Sequence, residues 1–410
     1  MNDLDQGISD YAAGILLRYY RAGSRVEPGV PRIEVERDRE ALRGHWALSA
    51  PVRGLVQHLL AHRHETQALL STRPRIEDAV ARGRIDVRAT LLHRMQYGLQ
   101  AALVTDEAVR SFETGPNQVL AWVIHHAGAW ASRFQRNGAD GLSYADLAEA
   151  VLLDIDRVRR FDALRDALRS PTISRRPSPG ALRNAARSRR PVYRLAVEAY
   201  DILKGVEEGR DEAIRAVIGS TLIGPLEVWR RLELAVATTI GEALEAEMGT
   251  PLHLNPVSGG TGPVAMCGRY ALFWQHLTKF YAPPALEPSE VRTRAILGAY
   301  GIGVGTERPD LVLVDMQAGA VLAVIEVKYL AGDTATARFR EAVDQIVRYG
   351  RGYASSQDLE DLVGRSLVVM SVNAPALQRP GPAVPSAIDF LGITQGLLRP
   401  WLRSLPLCPA

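Results

Sequence analysis

The stretch Pro309-Asp310-Leu311-Val312-Leu313-Val314-Asp315-Met316-Gln317-Ala318-Gly319-Ala320-Val321-Leu322-Ala323-Val324-Ile325-Glu326-Val327-Lys328 decides the fold. Two apolar runs flank a turn at Met316-Gln317-Ala318-Gly319, so the stretch reads as two antiparallel strands of a hairpin. Strand side chains alternate faces, which puts Glu326 and Lys328 on one face and Val327 on the other. Folding the hairpin back sets Asp310, at the start of the first strand, beside Glu326. Two carboxylates and an ammonium thereby meet at one end of a pair of apolar strands.

Outward from the hairpin, a helix from about Thr334 to Tyr353 and a buried strand from Ser366 to Val372 follow it. Before it, Pro225-Leu226-Glu227-Val228-Trp229 opens a helix through Leu244, then short strands and Gly/Pro turns run from Leu252 to Gly305. This order defines an α/β domain over residues 221–400, a mixed sheet flanked by helices. Pro380, Pro382 and Pro385 precede a last helix near Ala387 to Leu398.

Residues 71–220 form a mostly helical, Arg-rich domain, in which Gly83 to Thr90 and Phe112 to Gln118 read as punctuation before an apolar helix from Val119 to Phe134. His125 and His126 in that helix point to different faces. Within Ser170 to Arg194, Arg175, Arg176, Arg183, Arg187, Arg189, Arg190 and Arg194 allow two readings, contact with nucleic-acid phosphates or a solvated face. Residues 1–70 form an α/β segment: a helix around Ile8 to Leu16, a strand at Arg32-Ile33-Glu34-Val35-Glu36 and a helix from Val52 to Leu70. His58 and His62 share a helical face near His64, but no third ligand of suitable spacing accompanies them, so they are read as packing or solvent-facing residues.

The 410 residues carry a net charge of +3, and only Lys204, Lys279 and Lys328 among the 49 basic residues are lysine. In a chain that writes nearly every cation as Arg, a strand Lys marks a place where a bulky, always-charged fork does not serve. Cys267 and Cys408 lie far apart with no Cys/His cluster, which supports neither a disulfide framework nor a zinc site. No signal peptide and no apolar run of membrane-spanning length is present, so a cytoplasmic protein with no membrane partner is expected.

Phosphodiester hydrolysis needs a hard cation to neutralise the phosphoryl oxygens and activate water, and Mg2+ takes one or two carboxylates plus waters and substrate oxygens. Asp310 and Glu326 match that demand, the Val327 carbonyl adds a ligand, and Lys328 positions the attacking water and stabilises developing charge. Pro309-Asp310 and Glu326-Val327-Lys328 resemble the signature of the PD-(D/E)xK nuclease superfamily. Gln345 and Tyr349, four apart on the following helix, resemble the Gln-x-x-x-Tyr of its RecB-like branch. Leu226-Glu227-Val228-Trp229 resembles the Tyr-Glu-x-Trp stretch of McrC-like restriction subunits, with Leu226 in place of Tyr. The resemblance makes Glu227 the helix carboxylate of the metal site, with Glu233 as the fallback; Glu307 reads as a turn residue. Gly83 to Asp86 and Phe112 to Gln118 extend the McrC-like resemblance weakly, over residues 75–380.

What this implies is a restriction-endonuclease-like fold and a Mg2+-dependent DNA endonuclease, Mn2+ substituting, in a prokaryotic restriction or antiviral defence system. Gly259-Gly260-Thr261-Gly262 lacks the Lys-Ser/Thr of a P-loop, so any motor is a partner, an McrB-like NTPase or another defence subunit. Self-association is left open. The alternatives are a catalytically inactive DNA-binding or scaffold subunit and an RNA nuclease.

Overall fold

The computed structural model describes residues 3–24, 32–81, 83–136, 143–169, 173–255, 262–300, 308–330, 334–353, 358–379 and 381–408. Glu307 and most of the Gly259 to Gly262 stretch lie outside them. The chain divides into two compact units, one from Met1–Ala41, Asn137–Ala145 and Ile214–Ala410, the other from Leu42–Arg136 and Asp146–Ala213.

The first unit is built on a seven-stranded mixed sheet. Its elements in chain order are helix α1 (Asp3–Ser24), helix α2 (Val228–Met248), strands β1 (Leu252–Leu254), β2 (Ala265–Cys267), β3 (Tyr270–Trp274), β4 (Leu311–Asp315) and β5 (Ala320–Lys328), helices α3 (Ala335–Tyr353) and α4 (Leu359–Arg365), and strands β6 (Leu367–Met370) and β7 (Ser386–Asp389). Strands β1 to β5 form an antiparallel meander, and β6 and β7 add in parallel beside β5. One face carries Val312, Val314, Val324 and Val368 in a single core with Ala342, Ile346 and Tyr349 of α3. On the other face α2 runs so close to the sheet that a Cβ at Gly241 would meet Leu252 at 3.0 Å and Ala265 at 3.5 Å. A left-handed Gly249 (φ 63°) ends α2, where a side chain would be strained. The α/β mixed sheet flanked by helices is therefore present.

The β4–β5 turn is held by Asp315, whose Oδ1 accepts from the Gln317 and Ala318 amides and whose carboxylate is gripped by Arg269. Arg269 holds the Asp315 carboxyl below its usual range although burial works the other way. Beyond the turn lies a register shift at Leu313/Val314. Near the turn Val314 pairs with Val321; past the shift Leu311 pairs with Ile325. Without that bulge Asp310 would oppose Ile325; with it, Asp310 opposes Glu326, and opposed residues share a face.

Four expected elements differ. Arg32 to Glu36 is not a strand but opens the helix Arg32–Leu48, since Glu and Arg favour a helix over a five-residue alternation. The helix expected to reach Leu70 covers Ala50–Ala61 and is followed by a short turn, Arg63–Glu65. Residues 71–220 also contain a three-stranded sheet of Leu69–Asp78, Arg84–Ile85 and Ala102–Ser111. Its strands leave Leu69, Ile76 and Ile85 exposed, so no apolar alternation announced them. Gly83 is part of that sheet's construction, because a Cβ there would meet the Asp106 carbonyl oxygen at 2.4 Å. The helix expected near Ala387 to Leu398 is split: β7 joins the sheet, Asp389 caps a short helix at Phe390–Thr394, and another helix covers Leu398–Arg403.

Cys267 is buried, Cys408 is exposed and both are free. Among the described residues no helix is long and apolar enough to cross a membrane. His45, fully buried, is pushed down to about 3 by loss of solvent, and His126 down to about 4 by burial and then by neighbouring His125. Both stay neutral in the folded chain, whereas the unfolded chain takes up their protons below about pH 6.5. Their contribution to stability is whole above that value and is lost as pH falls toward 4. Thermal unfolding followed from pH 7.5 to 5 should show a falling midpoint, each group accounting for at most about 1.4 kcal/mol per pH unit. A His45→Gln variant should show a flatter acid limb.

Candidate active site

Asp310 is fixed by backbone bonds at the mouth of the β4–β5 hairpin. Its Oδ2 accepts from the Val327 amide at 2.7 Å, its carbonyl accepts from the Gln275 amide at 2.9 Å, and its own N–H approaches Glu326 Oε1 at 3.4 Å. Lys328 Nζ donates to Glu326 Oε2 at 2.9 Å and lies 3.7 Å from Asp310 Oδ2. Glu326 is 1% and Lys328 8% exposed. The expected Asp310, Glu326 and Lys328 are thus brought together, out of bulk water. Val327 contributes its N–H here, and its carbonyl belongs to the same short stretch.

The helix carboxylate that joins them is Glu233, not Glu227. Glu227 is the N-cap of α2; its carbonyl accepts from the Arg231 amide, and its side chain is exposed and caps nothing. Six residues of helix displace Glu233 by about 9 Å along the axis. There it is 2% exposed, and its Oε2 accepts from Trp274 Nε1 at 2.5 Å and Gln275 Nε2 at 2.8 Å. The difference has a physical cause: Glu227 lies at the N-cap, outside the helix proper, whereas six residues of rise and rotation carry Glu233 onto the face of α2 that meets Trp274 and Gln275.

Electrostatics tie the group together. Burial and then the Asp310 charge push the Glu233 carboxyl up to about 8, against the pull of Trp274 and Gln275. Burial followed by Asp310 raises Glu326 well above its ordinary range, and burial raises Asp310 despite Lys328. Burial alone would lower Lys328, but Glu326, Asp310 and Glu341 outweigh it and hold the ammonium charged. Asp310 and Glu326 crowd the Lys328 ammonium, and Glu233 adds a third carboxylate beside Asp310. An all-oxygen donor set of this kind fits a hard divalent cation such as Mg2+.

On α3, Glu341 Oε1 lies 4.0 Å from Lys328 Nζ, and Gln345 sits four residues on along the same face. Both line an open groove of about 440 Å3 with Arg340, Asp344 and Arg348. The Gln345 Oε1 is buried without a hydrogen-bond partner. Tyr349 is 2% exposed in the core with Ile346, so its ring packs beneath the helix and does not line the groove. Trp274, Gln275 and Glu341 escaped the sequence reading. The signals were there: a polar Gln directly after the strand Tyr270–Trp274, and a Glu one helical turn before Gln345.

No family profile and no curated protein matches this chain. Among solved structures it is similar to a chain in a half-complex from a tetradecameric assembly of Thermococcus gammatolerans McrB AAA+ hexamers with bound McrC. The identity is 9%, the TM-score 0.26, and the match covers 96% of this chain and 76% of that one. A likeness so slight supports no argument about fold or activity.

In EDTA-treated protein at pH 8.5, Glu233→Gln should raise the unfolding midpoint by removing a buried repelling charge, and Glu227→Gln should leave it unchanged. The folded-state value near 8 lies above the unfolded one, so the wild-type penalty grows as pH rises toward 8 and is absent near pH 4.5. Repeating the comparison at pH 5 should therefore shrink the gain.

Proposed function

We propose that this chain is a Mg2+-dependent endonuclease that cleaves DNA phosphodiester bonds by the chemistry of the PD-(D/E)xK nucleases, as the nuclease component of a prokaryotic restriction or defence system. The observation that carries the reading is the convergence of Asp310, Glu326 and Lys328, with Lys328 Nζ 2.9 Å from Glu326 and 3.7 Å from Asp310. Asp310, Glu326 and Glu233, with the Val327 carbonyl, would hold the cation, Mn2+ serving in place of Mg2+. Bound there, the cation would neutralise the scissile phosphoryl oxygens and make a water more acidic.

The rest falls to the chain's own groups. Lys328 sits where its ammonium orients the attacking water and meets negative charge building on the phosphoryl oxygens. Glu341, 4.0 Å away and within ion-pairing range only, adds a weaker charge contact to that ammonium. The partnerless Gln345 oxygen supplies an acceptor beside the groove for a donor on substrate or on ordered water. Trp274 and Gln275 aim Glu233. DNA is the proposed substrate, and the exposed Arg175, Arg183, Arg187, Arg189 and Arg194 offer phosphate contacts. Since the sequence has no P-loop, any translocation belongs to a separate McrB-like motor NTPase.

The test pairs activity with binding. Wild-type chain should nick or linearise supercoiled plasmid in Mg2+ or Mn2+, and should bind Mn2+ in calorimetry. Asp310→Ala, Glu326→Gln and Lys328→Ala should each lose at least about 100-fold in cleavage, Glu233→Gln should be impaired, and Glu227→Ala should stay near wild type. Cleavage that survives Asp310→Ala and Lys328→Ala would sink the site. Cleavage confined to an RNA substrate would reassign the target.

A further inference from the structure

A second cluster of ligating side chains lies in the other unit. His58 closes the last turn of helix Ala50–Ala61, His62 is its C-cap, and Glu65 ends the short turn that follows. One ligating atom from each of the three lies within 4.8 Å of the others. His58 Nε2 is 3.0 Å from Glu65 Oε2, and the His58 and His62 rings stack with centroids 4.5 Å apart.

We infer that His58, His62 and Glu65 form a binding site for a borderline transition-metal cation, Zn2+ or a similar imidazole-seeking ion, separate from the proposed Mg2+ site. Histidines four apart on a helix present both imidazoles to one side, and the chain reversal at His62 carries Glu65 back to them. The third ligand that spacing along the helix does not provide is thus delivered by the turn.

Each donor is prepared for the role. His62 Nδ1 lies 3.3 Å from the His58 carbonyl oxygen, an arrangement that turns Nδ1 to the backbone and leaves Nε2 as the nitrogen for a metal to meet. Glu65 Oε2 is held in place by His58 Nε2 at 3.0 Å and by the Val192 amide. The Val192 amide reaches Glu65 Oε2 at 3.4 Å and Arg190 Nη1 donates to the Glu65 carbonyl at 2.8 Å, so the turn is tied to the start of helix Pro191–Glu207.

The separation of His58 Nε2 and Glu65 Oε2 is close to the donor–donor edge of a tetrahedral zinc site, roughly 3.4 Å for ligands about 2.0–2.1 Å from the metal. A cation held between these two atoms would take the place of the His58–Glu65 contact. Neutral and negative ends converge here, since the last carbonyls of helix Ala50–Ala61 also favour a cation. Two imidazoles and one carboxylate select Zn2+ over Mg2+. Three protein ligands leave a fourth position for water. His58 is 21% and Glu65 17% exposed, and His62 is exposed, so the site is open to solution.

Tag-free full-length protein, stripped with EDTA and kept in excess Mg2+, is titrated with Zn2+ by calorimetry and with Co2+ by visible absorption. One Zn2+ per chain should bind, Co2+ should give the intense absorption of a tetrahedral ion, and the unfolding midpoint should rise with Zn2+. His62→Ala and Glu65→Gln should each weaken Zn2+ by more than about 100-fold, beyond the cost of losing an outer hydrogen-bond partner. His64→Ala, a neighbour outside the cluster, should not. Should His58→Ala misfold, the exposed His62 and isosteric Glu65 variants still decide. Zn2+ affinity unchanged in both, no Zn2+ binding by wild type, or equal weakening by His64→Ala would overturn the site.

Discussion

Asp310 and Glu326 converge on the Lys328 ammonium at the mouth of the β4–β5 hairpin, with Glu233 of α2 beside Asp310, and this crowding of carboxylates constrains everything around it. Removing ions from water costs several kcal/mol each after relaxation. Asp310, Glu326 and Glu233 are kept in place by directed donors: the Val327 amide, Lys328, and the Trp274 and Gln275 side chains. The apolar sheet behind them, each fully buried Val or Leu contributing roughly 1.5–3 kcal/mol, supplies the rigidity that holds such a cluster together. That crowding of oxygen donors is what supports the proposed cation site and, with it, the proposed metal-dependent hydrolysis.

Placement of the cluster turns on backbone details. The bulge at Leu313/Val314 shifts β4 by one residue against β5. Since strand side chains alternate, a one-residue difference decides whether Asp310 opposes the acid at 326 or the isoleucine at 325. Gln275 acts similarly at the end of β3: in a left-handed conformation (φ 47°) it turns its amide to Asp310 and its side chain to Glu233. Backbone strain of this kind at a non-glycine residue clusters at functional positions.

The second unit shows the same logic with different chemistry. Asn117 donates to the carbonyls of Gln67 and Phe112 and accepts from Tyr193, which itself accepts from the Gln67 amide. The Gly-Pro-Asn punctuation before a long helix is thus a buried polar joint. Glu65, just upstream of Gln67, serves a comparable purpose, joining a helix end to Val192 and Arg190 while also facing two imidazoles.

The hairpin, its Asp310, Glu326 and Lys328, the helices before and after it, and an α/β sheet could be read from the chain, because continuous apolar runs, a turn and a scarce lysine are local signals. Gln345 came from spacing on one helix. What could not be read depends on contacts between residues far apart in sequence: Glu233 is chosen over Glu227 by which turn of α2 meets Trp274 and Gln275, Tyr349 by its place in a core, and Glu65 by a chain reversal. The strands at Leu69–Asp78 and Ala102–Ser111 escaped because backbone pairing, not apolar patterning, makes them. Sequence alone determined which chemical groups the chain owns and the elements that carry them; only the tertiary structure decided which of those groups meet, since register, helix rotation and burial are set by packing between distant segments.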